Sequence, residues 1–335
     1  MPLHLTKQAR LVLERRYLAK DDSGRVMETP EEMFDRVASS VAAEIVKQGG
    51  ARRGANMGLL RVDHPDVEAF IQAKKDPGKL NNFNLSIGVT DTFMEALSRQ
   101  GDYDLINPRT GRAVARVAAD SIFNRIVSMA WRTGEPGILF LDAINRDNPT
   151  PHLGAIEATN PCGEQPLLPY ESCTLGSINL SKMVTKDRID AKRLDRVVRR
   201  CVHFLDNVIE MNRYPLPEIE RISKLTRKTG LGVMGFSDML IKLGISYDSE
   251  AAVRQAETVM ARIRSTAREA SAALAEKRGN YPAYSGSRHD RPETPLVRNA
   301  TTTTIAPTGT ISILAGVSSG IEPLFAVAQT RRVLN

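Results

Sequence analysis

The chain has 335 residues, 46 lysines and arginines against 39 acids, a formal net charge of +7, and 3 cysteines. No apolar run approaches the roughly 20 residues that cross a bilayer, and the charged first residues lack a signal peptide's apolar block, so a membrane partner is not expected. Three cysteines do not make a disulfide framework, and five scattered histidines without a Cys-x-x-Cys argue against a metal. The expected compartment is a reducing cytoplasm, where paired cysteines are usually catalytic. The basic excess suits an anionic ligand or a nucleic-acid surface and says nothing about fold.

Residues 5–19 read as a helix, with Leu11, Leu13 and Tyr17 among its apolar positions, and Asp21 to Gly24 as a turn. Thr29, Pro30, Glu31 and Glu32 form a helix start: a cap, a proline at the first helical position and acids in the first turn. That helix is expected to run to about 46 and to end at Gly49 and Gly50. Strands are expected over 57–62, 85–89 and 138–141. Helices are expected over 66–75, from the Thr90 cap to about 99, and over 118–132. Residues 102–116 read as an irregular excursion and 143–155 as a loop rich in proline and asparagine.

Further on, Leu194, Val197, Val198, Cys201, Leu205 and Val208 recur at helical spacing across 191–212. Cys201 is therefore expected to pack in a core as a small hydrophobe. Helices are expected over 218–228, 236–243 and 249–278. A surface loop should follow over 279–298, then a β-branched strand over 301–306. Met57, Met234 and Met239 read as packing residues. Strands separated by helices imply an α/β fold.

The chain's chemistry is concentrated in residues 158–180, ATNPCGEQPLLPYESCTLGSINL. Here Asn160, Cys162 and Glu164 alternate, and an extended backbone would project them to one side. Pro161 and Gly163 make the segment poor helix. An amide, a redox-capable sulfur and a base aimed at one small molecule would make a chemical site. A loop with a chance cysteine is the competing reading. A second motif, 307–312, follows the 301–306 strand and can open a helix. Its backbone N–H groups would make an anion site, with Gly309 permitting close approach and hydroxyls adding donors. An ordinary strand-to-helix turn reads equally well from these residues alone.

Residues 160–180 resemble the active-site segment of ribonucleotide reductase large chains, and most closely those of the adenosylcobalamin-dependent class. Three more stretches agree. Residues 47–55, KQGGARRGA, resemble that family's substrate-specificity loop. Residues 229–236, TGLGVMGF, are similar to a structural turn in it. Residues 306–312, APTGTIS, followed by 318–323, SSGIEP, resemble its phosphate-binding turn. The resemblance runs in order from about 45 to 335.

The resemblance implies a partial ten-stranded α/β barrel over 45–335, with the cysteine segment as its central loop and an N-terminal helical segment over 1–44. It implies a ribonucleoside-diphosphate reductase using adenosylcobalamin as radical source and a dithiol reductant such as thioredoxin. Cys162 would be the thiyl radical, Glu164 the general base, and Asn160 the hydrogen-bond partner of the ribose hydroxyls. Cys173 would be one of the two thiols that deliver electrons. Pro161, Gly163, Pro307, Thr308, Gly309, Thr310, Ile311 and Ser312 would contact substrate. Gly49, Gly50, Arg52, Arg53 and Gly54 would form the specificity loop. That loop also reads as a basic nucleic-acid contact, but it lacks interleaved aromatics, so no nucleic-acid partner is expected.

One departure matters. In the family a long section carrying the first redox cysteine, an effector loop and dimer helices precedes the specificity loop. Here Val41, Ala42 and Ala43 pass straight into 44–48. The expectation is an internally shortened and C-terminally short version, or a fragment, with a second polypeptide as one source of the absent parts. A non-catalytic nucleotide-binding remnant is the rival reading.

Overall fold

The computed structural model describes residues 6–16, 18–21, 23–30, 32–33, 55–76, 80 and 83–326. The 29–46 helix beyond residue 33 and the specificity-loop residues Gly49, Gly50, Arg52, Arg53 and Gly54 lie outside the described residues. The start of that helix is described. Glu32 N–H donates to Thr29 Oγ1 at 3.2 Å, and Thr29 N–H donates to Glu32 Oε2 at 2.6 Å. This reciprocal pair is a capping box. The chain folds as two compact units, Arg53–Pro169 and the remainder, Met1–Arg52 with Tyr170–Asn335.

The Arg53–Pro169 unit is built on three parallel strands, β1 (Asn56–Arg61), β2 (Phe83–Val89) and β5 (Gly137–Phe140), in the order β1-β2-β5. Helices α2 (Val67–Ile71), α3 (Asp91–Ser98), α4 (Ala119–Thr133) and α5 (Leu141–Arg146) accompany them. Thr90 caps α3 as the sequence implies, accepting from Phe93 N–H at 3.2 Å. The core gathers Ile87 and Val89 from the sheet, Phe93, and Ile122, Ile126 and Met129 from α4. The excursion at 102–116 is instead an antiparallel hairpin of β3 (Asp102–Ile106) and β4 (Ala113–Ala118). Tyr103 and Leu105 alternate inward, and the turn at Asn107 to Gly111 closes it. Where a loop was expected, α5 continues directly from β5. Two short strands, β6 (Ala158–Thr159) and β7 (Pro166–Leu167), end the unit.

In the other unit, β8 (Thr174–Asn179) pairs in parallel with β11 (Thr229–Met234). A small antiparallel pair, β9 (Val184–Thr185) and β10 (Arg188–Ile189), and the helix α6 (Ala191–Met211) follow β8, while α7 (Pro217–Thr226) leads into β11. The chain then forms α8 (Phe236–Lys242), the long α9 (Glu250–Arg278) and α10 (Gly309–Ala315). Asp190 caps α6 and Ser249 caps α9 through their side chains. The residues read as a structural turn at 229–236 are β11, buried at every position, followed by a left-handed Gly235. The expected strand at 301–306 runs beside β11, accepting from Thr229 and Leu231 N–H at Thr301 and Thr302 and forming a parallel bridge between Leu231 and Thr303. Its contact is very close: a Cβ on Gly232 would lie 2.7 Å from the Thr304 carbonyl oxygen. Glycine is what lets these backbones approach. Helix α1 (Lys7–Arg16), shorter than the expected 5–19, packs its Leu13 with Leu18, Met33 and Leu314.

The protein thus has mixed α/β content with short parallel sheets, and no closed barrel forms among the described residues. No helix among them is long and apolar enough to cross a membrane.

Candidate active site

The cysteine segment does not run extended. Strands β6 and β7 pair antiparallel, Ala158 with Leu167 and Thr159 with Pro166, and residues 160–165 form the loop between them. Asn160 carbonyl accepts from Gly163 N–H at 3.0 Å, closing a β-turn. Asparagine first, proline second and glycine fourth is a favoured order for such a turn, which is why the alternation expected of a strand is lost. Gly163 sits at φ +85°, a backbone region costly for residues with a Cβ.

The turn determines what each side chain can do. Asn160 Oδ1 accepts from Gln165 N–H at 3.0 Å, so the NH2 end of its amide carries the donors for any ligand. Asn84 Nδ2 donates to Pro161 carbonyl at 2.6 Å, tying the turn to β2. Cys162 is exposed at the tip, and Glu164 is half-buried two residues on. A cavity of about 840 Å³ in the same unit is lined by residues including Arg61, Asp63, His64, Asp142 and Asn145. Asn160, Cys162 and Glu164 are not among its lining residues. Its polar walls are partly committed to the fold: Arg61 forks onto Asp63 at 3.0 and 2.7 Å, and Asp142 Oδ2 accepts from Asp91 N–H.

Cys173 lies in the other unit, half-buried, one residue before β8. The residues preceding it are pinned. Glu171 Oε2 accepts from Lys228 Nζ at 2.7 Å with both side chains buried, and Glu171 Oε1 accepts from Thr226 Oγ1 at 2.6 Å. Ser172 N–H donates to Ser223 Oγ, and the two serine hydroxyls share a bond of 2.7 Å. Sequence reasoning missed Glu171, Ser223, Thr226 and Lys228. The available signal was Arg227-Lys228, two cations entering a strand otherwise made largely of glycine and apolar residues.

Cys201 packs against the α6 core as the helical spacing predicts, and burial pushes its thiol pKa up. It is poorly placed to meet Cys173. Gly176 of β8 faces Leu205 of α6, where a Cβ would lie 3.5 Å from Leu205 Cδ2. From that contact Cys173 lies three strand residues back and Cys201 four helix residues back, in opposite directions because α6 runs against the strand. The rises give a separation of roughly 16 Å. A disulfide needs Cα atoms within about 7 Å.

At the 307–312 turn, Thr308 is left-handed (φ +55°) and Gly309 begins α10. Two of the hydroxyls expected to add donors, those of Thr308 and Ser312, bond within the protein. Thr308 Oγ1 accepts from Gly320 N–H at 2.7 Å, and Ser312 Oγ shares 3.0 Å with Ser319 Oγ. They hold residues 319 and 320 against the turn. Pro307, Gly309 and Ile311 are exposed and Thr310 half-buried. An anion here would meet backbone N–H groups ahead of Ser312, whose own N–H is the first to bond back to Thr308.

These features define an α/β protein with an exposed thiol on a braced turn and a second, half-buried thiol at the start of a parallel strand. A family model described as "Ribonucleotide reductase, barrel domain" matches residues 33–297 and 293–335, and the chain belongs to that family. It is 54% identical over 297 residues, 88% of this chain, to a vitamin B12-dependent ribonucleoside-diphosphate reductase of Thermoplasma acidophilum, of which 38% is covered. It is 53% identical over 294 residues, again 88% of the chain, to a protein of the same name from Mycobacterium tuberculosis, of which 42% is covered. A vitamin B12-dependent ribonucleotide reductase of Streptomyces coelicolor is 29% identical over 368 residues, covering 90% of this chain and 38% of the relative. The chain therefore spans about two fifths of the length of these curated relatives.

Proposed function

We propose that this chain carries the catalytic core of an adenosylcobalamin-dependent ribonucleotide reductase, replacing the 2′-hydroxyl of a ribonucleoside diphosphate by hydrogen. The observation that carries the reading is identity above one half, over 88% of the chain, to proteins named for that reaction and that vitamin. The parallel strands of the two units are read as parts of the family's ten-stranded barrel, within the catalytic stretch 45–335.

Hydroxide leaves an unactivated carbon poorly, whereas a radical at the neighbouring carbon expels water readily. Cys162, as a thiyl radical, would take the 3′ hydrogen atom. Glu164 would accept the 3′-hydroxyl proton, for which it needs hydrogen-bond reach. The Asn160 NH2 would donate to the ribose hydroxyls, since its oxygen is held by Gln165. Pro161 and Gly163 set the turn that presents all three. The backbone of Gly309, Thr310 and Ile311 would bind the diphosphate, with Pro307, Thr308 and Ser312 shaping the turn. Overall the ribose loses its 2′-hydroxyl as water and gains hydrogen, while two thiols lose two protons and two electrons and join as a disulfide. Cys173 is one of those thiols; by the family resemblance the other is the first redox cysteine, carried by the section that is absent before the specificity loop, and a dithiol reductant would restore the pair.

Adenosylcobalamin, when bound, supplies the radical that removes hydrogen from the Cys162 thiol. The exposure of Cys162 fits that need. The test is an anaerobic single-turnover reaction with a ribonucleoside diphosphate, adenosylcobalamin and a dithiol. Deoxynucleotide should form with the wild-type chain and be absent with Cys162→Ser and Glu164→Gln. Equal product from Cys162→Ser would refute the assignment.

One observation favours the second reading, a nucleotide-binding protein without turnover: Cys201, in the same unit as Cys173, lies beyond disulfide reach of it. Nucleotide binding with no Cys162-dependent product is the outcome that selects it.

A further inference from the structure

The segment before Cys173 is held more firmly than a strand entry requires. Glu171 and Lys228 form an ion pair whose side chains are 0% and 1% exposed. Thr226, the last residue of α7, gives Glu171 its hydroxyl at 2.6 Å, and Ser223, one turn earlier, takes the Ser172 N–H. Immediately after the cysteine, Thr174 pairs in register with Thr229. Cys173 is thus bracketed by fixed points on α7 and β11.

A buried ion pair is an uneconomical way to hold a fold, since well-packed apolar residues often serve equally well. Its placement is the clue. Cys173 is two residues from Glu171, so their Cα atoms are within about 7 Å by chain length alone. Cys173 itself is half-buried, and a full charge at such range moves a thiol's ionisation. The neighbouring charges are otherwise engaged. Arg227 turns to Asp206 and Glu210, with Arg278 and Arg298 on Asp206 as well, and Lys224 pairs with Glu220 on the outer face of α7.

We propose that the Glu171–Lys228 pair, braced by Thr226 and the Ser172–Ser223 hydroxyls, is a positioning device for Cys173. It fixes the cysteine backbone through the redox cycle and, because its charges cancel, keeps the thiol from ionising prematurely. The inference rests on the reading of Cys173 as a redox thiol, and its test needs no turnover, so failure of the reductase assay does not decide it.

The test follows alkylation of Cys173 by iodoacetamide against pH, read by mass spectrometry, with Cys162 and Cys201 of the same chain as internal references. Glu171→Gln leaves the ammonium uncompensated, which favours thiolate. The Cys173 midpoint should fall by about one pH unit, with roughly tenfold faster labelling at neutral pH. Lys228→Met leaves the carboxylate uncompensated and should raise the midpoint by a similar amount. The charge-free double variant, Glu171→Gln with Lys228→Met, should return it to near the wild-type value while keeping a cooperative melt. Midpoints unmoved in the folded single variants, or moved in the same direction, would overturn the proposal. So would loss of the cooperative melt in the double variant, which would make the pair an element of folding alone.

Discussion

The two cysteines of the 158–180 segment sit in opposite physical settings. Cys162 is exposed at the tip of a turn between two strands of two residues each, stabilised by backbone and amide hydrogen bonds. Cys173 enters a fully paired strand, and the residues before it are locked by a buried ion pair and two hydroxyl contacts. The contrast matches the two chemistries proposed for them. A sulfur that must be reached by an external radical source and by substrate is presented on a turn. A sulfur that must return to one geometry after each oxidation is built into the framework. If so, the unit holding Cys173 should respond to loss of buried charge, and the Cys162 turn to loss of turn chemistry.

The largest effect is expected at Asp206, which is wholly buried and accepts from Arg227 at 3.0 and 2.8 Å and from Asn299 at 3.0 Å. Asp206→Ala leaves the buried Arg227 short of its main partner and should cost about 3–5 kcal/mol in urea unfolding. Next comes Gly232→Ala. Its Cβ would meet a backbone oxygen at 2.7 Å, which no side-chain rotation relieves, and the loss should be about 1–3 kcal/mol by thermal melt. On the other side of the comparison, Asn160→Ala removes the acceptor for Gln165 N–H. A loss of about 1 kcal/mol is expected, with labelling of the already exposed Cys162 little changed. An Asn160→Ala chain as unstable as Asp206→Ala would erase the contrast.

The smallest effect is a pH dependence in the 279–298 segment. Burial, helped by Arg268, lowers the His289 pKa below its ordinary 6.5. The folded state then binds fewer protons than the unfolded state just below 6.5. Stability is full above that value and falls as pH drops through it toward the folded pKa. Melting temperatures taken from pH 7.5 to 5 should decline in the wild type and more shallowly in His289→Gln.

Much of the framework was legible because it is local. The α6 and α9 helices follow from apolar spacing and side-chain caps, and Thr90 announces α3. What was not legible depends on distant partners. The family resemblance made 229–236 read as a structural turn, yet neighbouring backbone on both sides makes 229–234 a buried strand. The hairpin at 102–118 was hidden by its polar residues, although Tyr103 and Leu105 alternate inward. At the site, the residues Asn160, Cys162 and Glu164 could be picked out from the sequence, but their geometry could not. Pro161 and Gly163 bend the segment, and the Asn160 oxygen is used to brace it. Likewise Thr308 and Ser312 offer hydroxyls on paper, but residues 319 and 320 take them. Lys228 was invisible because its partner lies 57 residues away.

The most direct test of the account is the amount of deoxynucleotide formed per mole of chain, measured anaerobically with adenosylcobalamin, a ribonucleoside diphosphate and excess dithiol. With Cys162 in its proposed role and Cys201 too far from Cys173 to share a disulfide, product should not exceed a single turnover and should vanish in Cys162→Ser. Sustained turnover, lost in Cys162→Ser but kept in Cys201→Ser, would contradict the account by showing that an external thiol completes the redox pair.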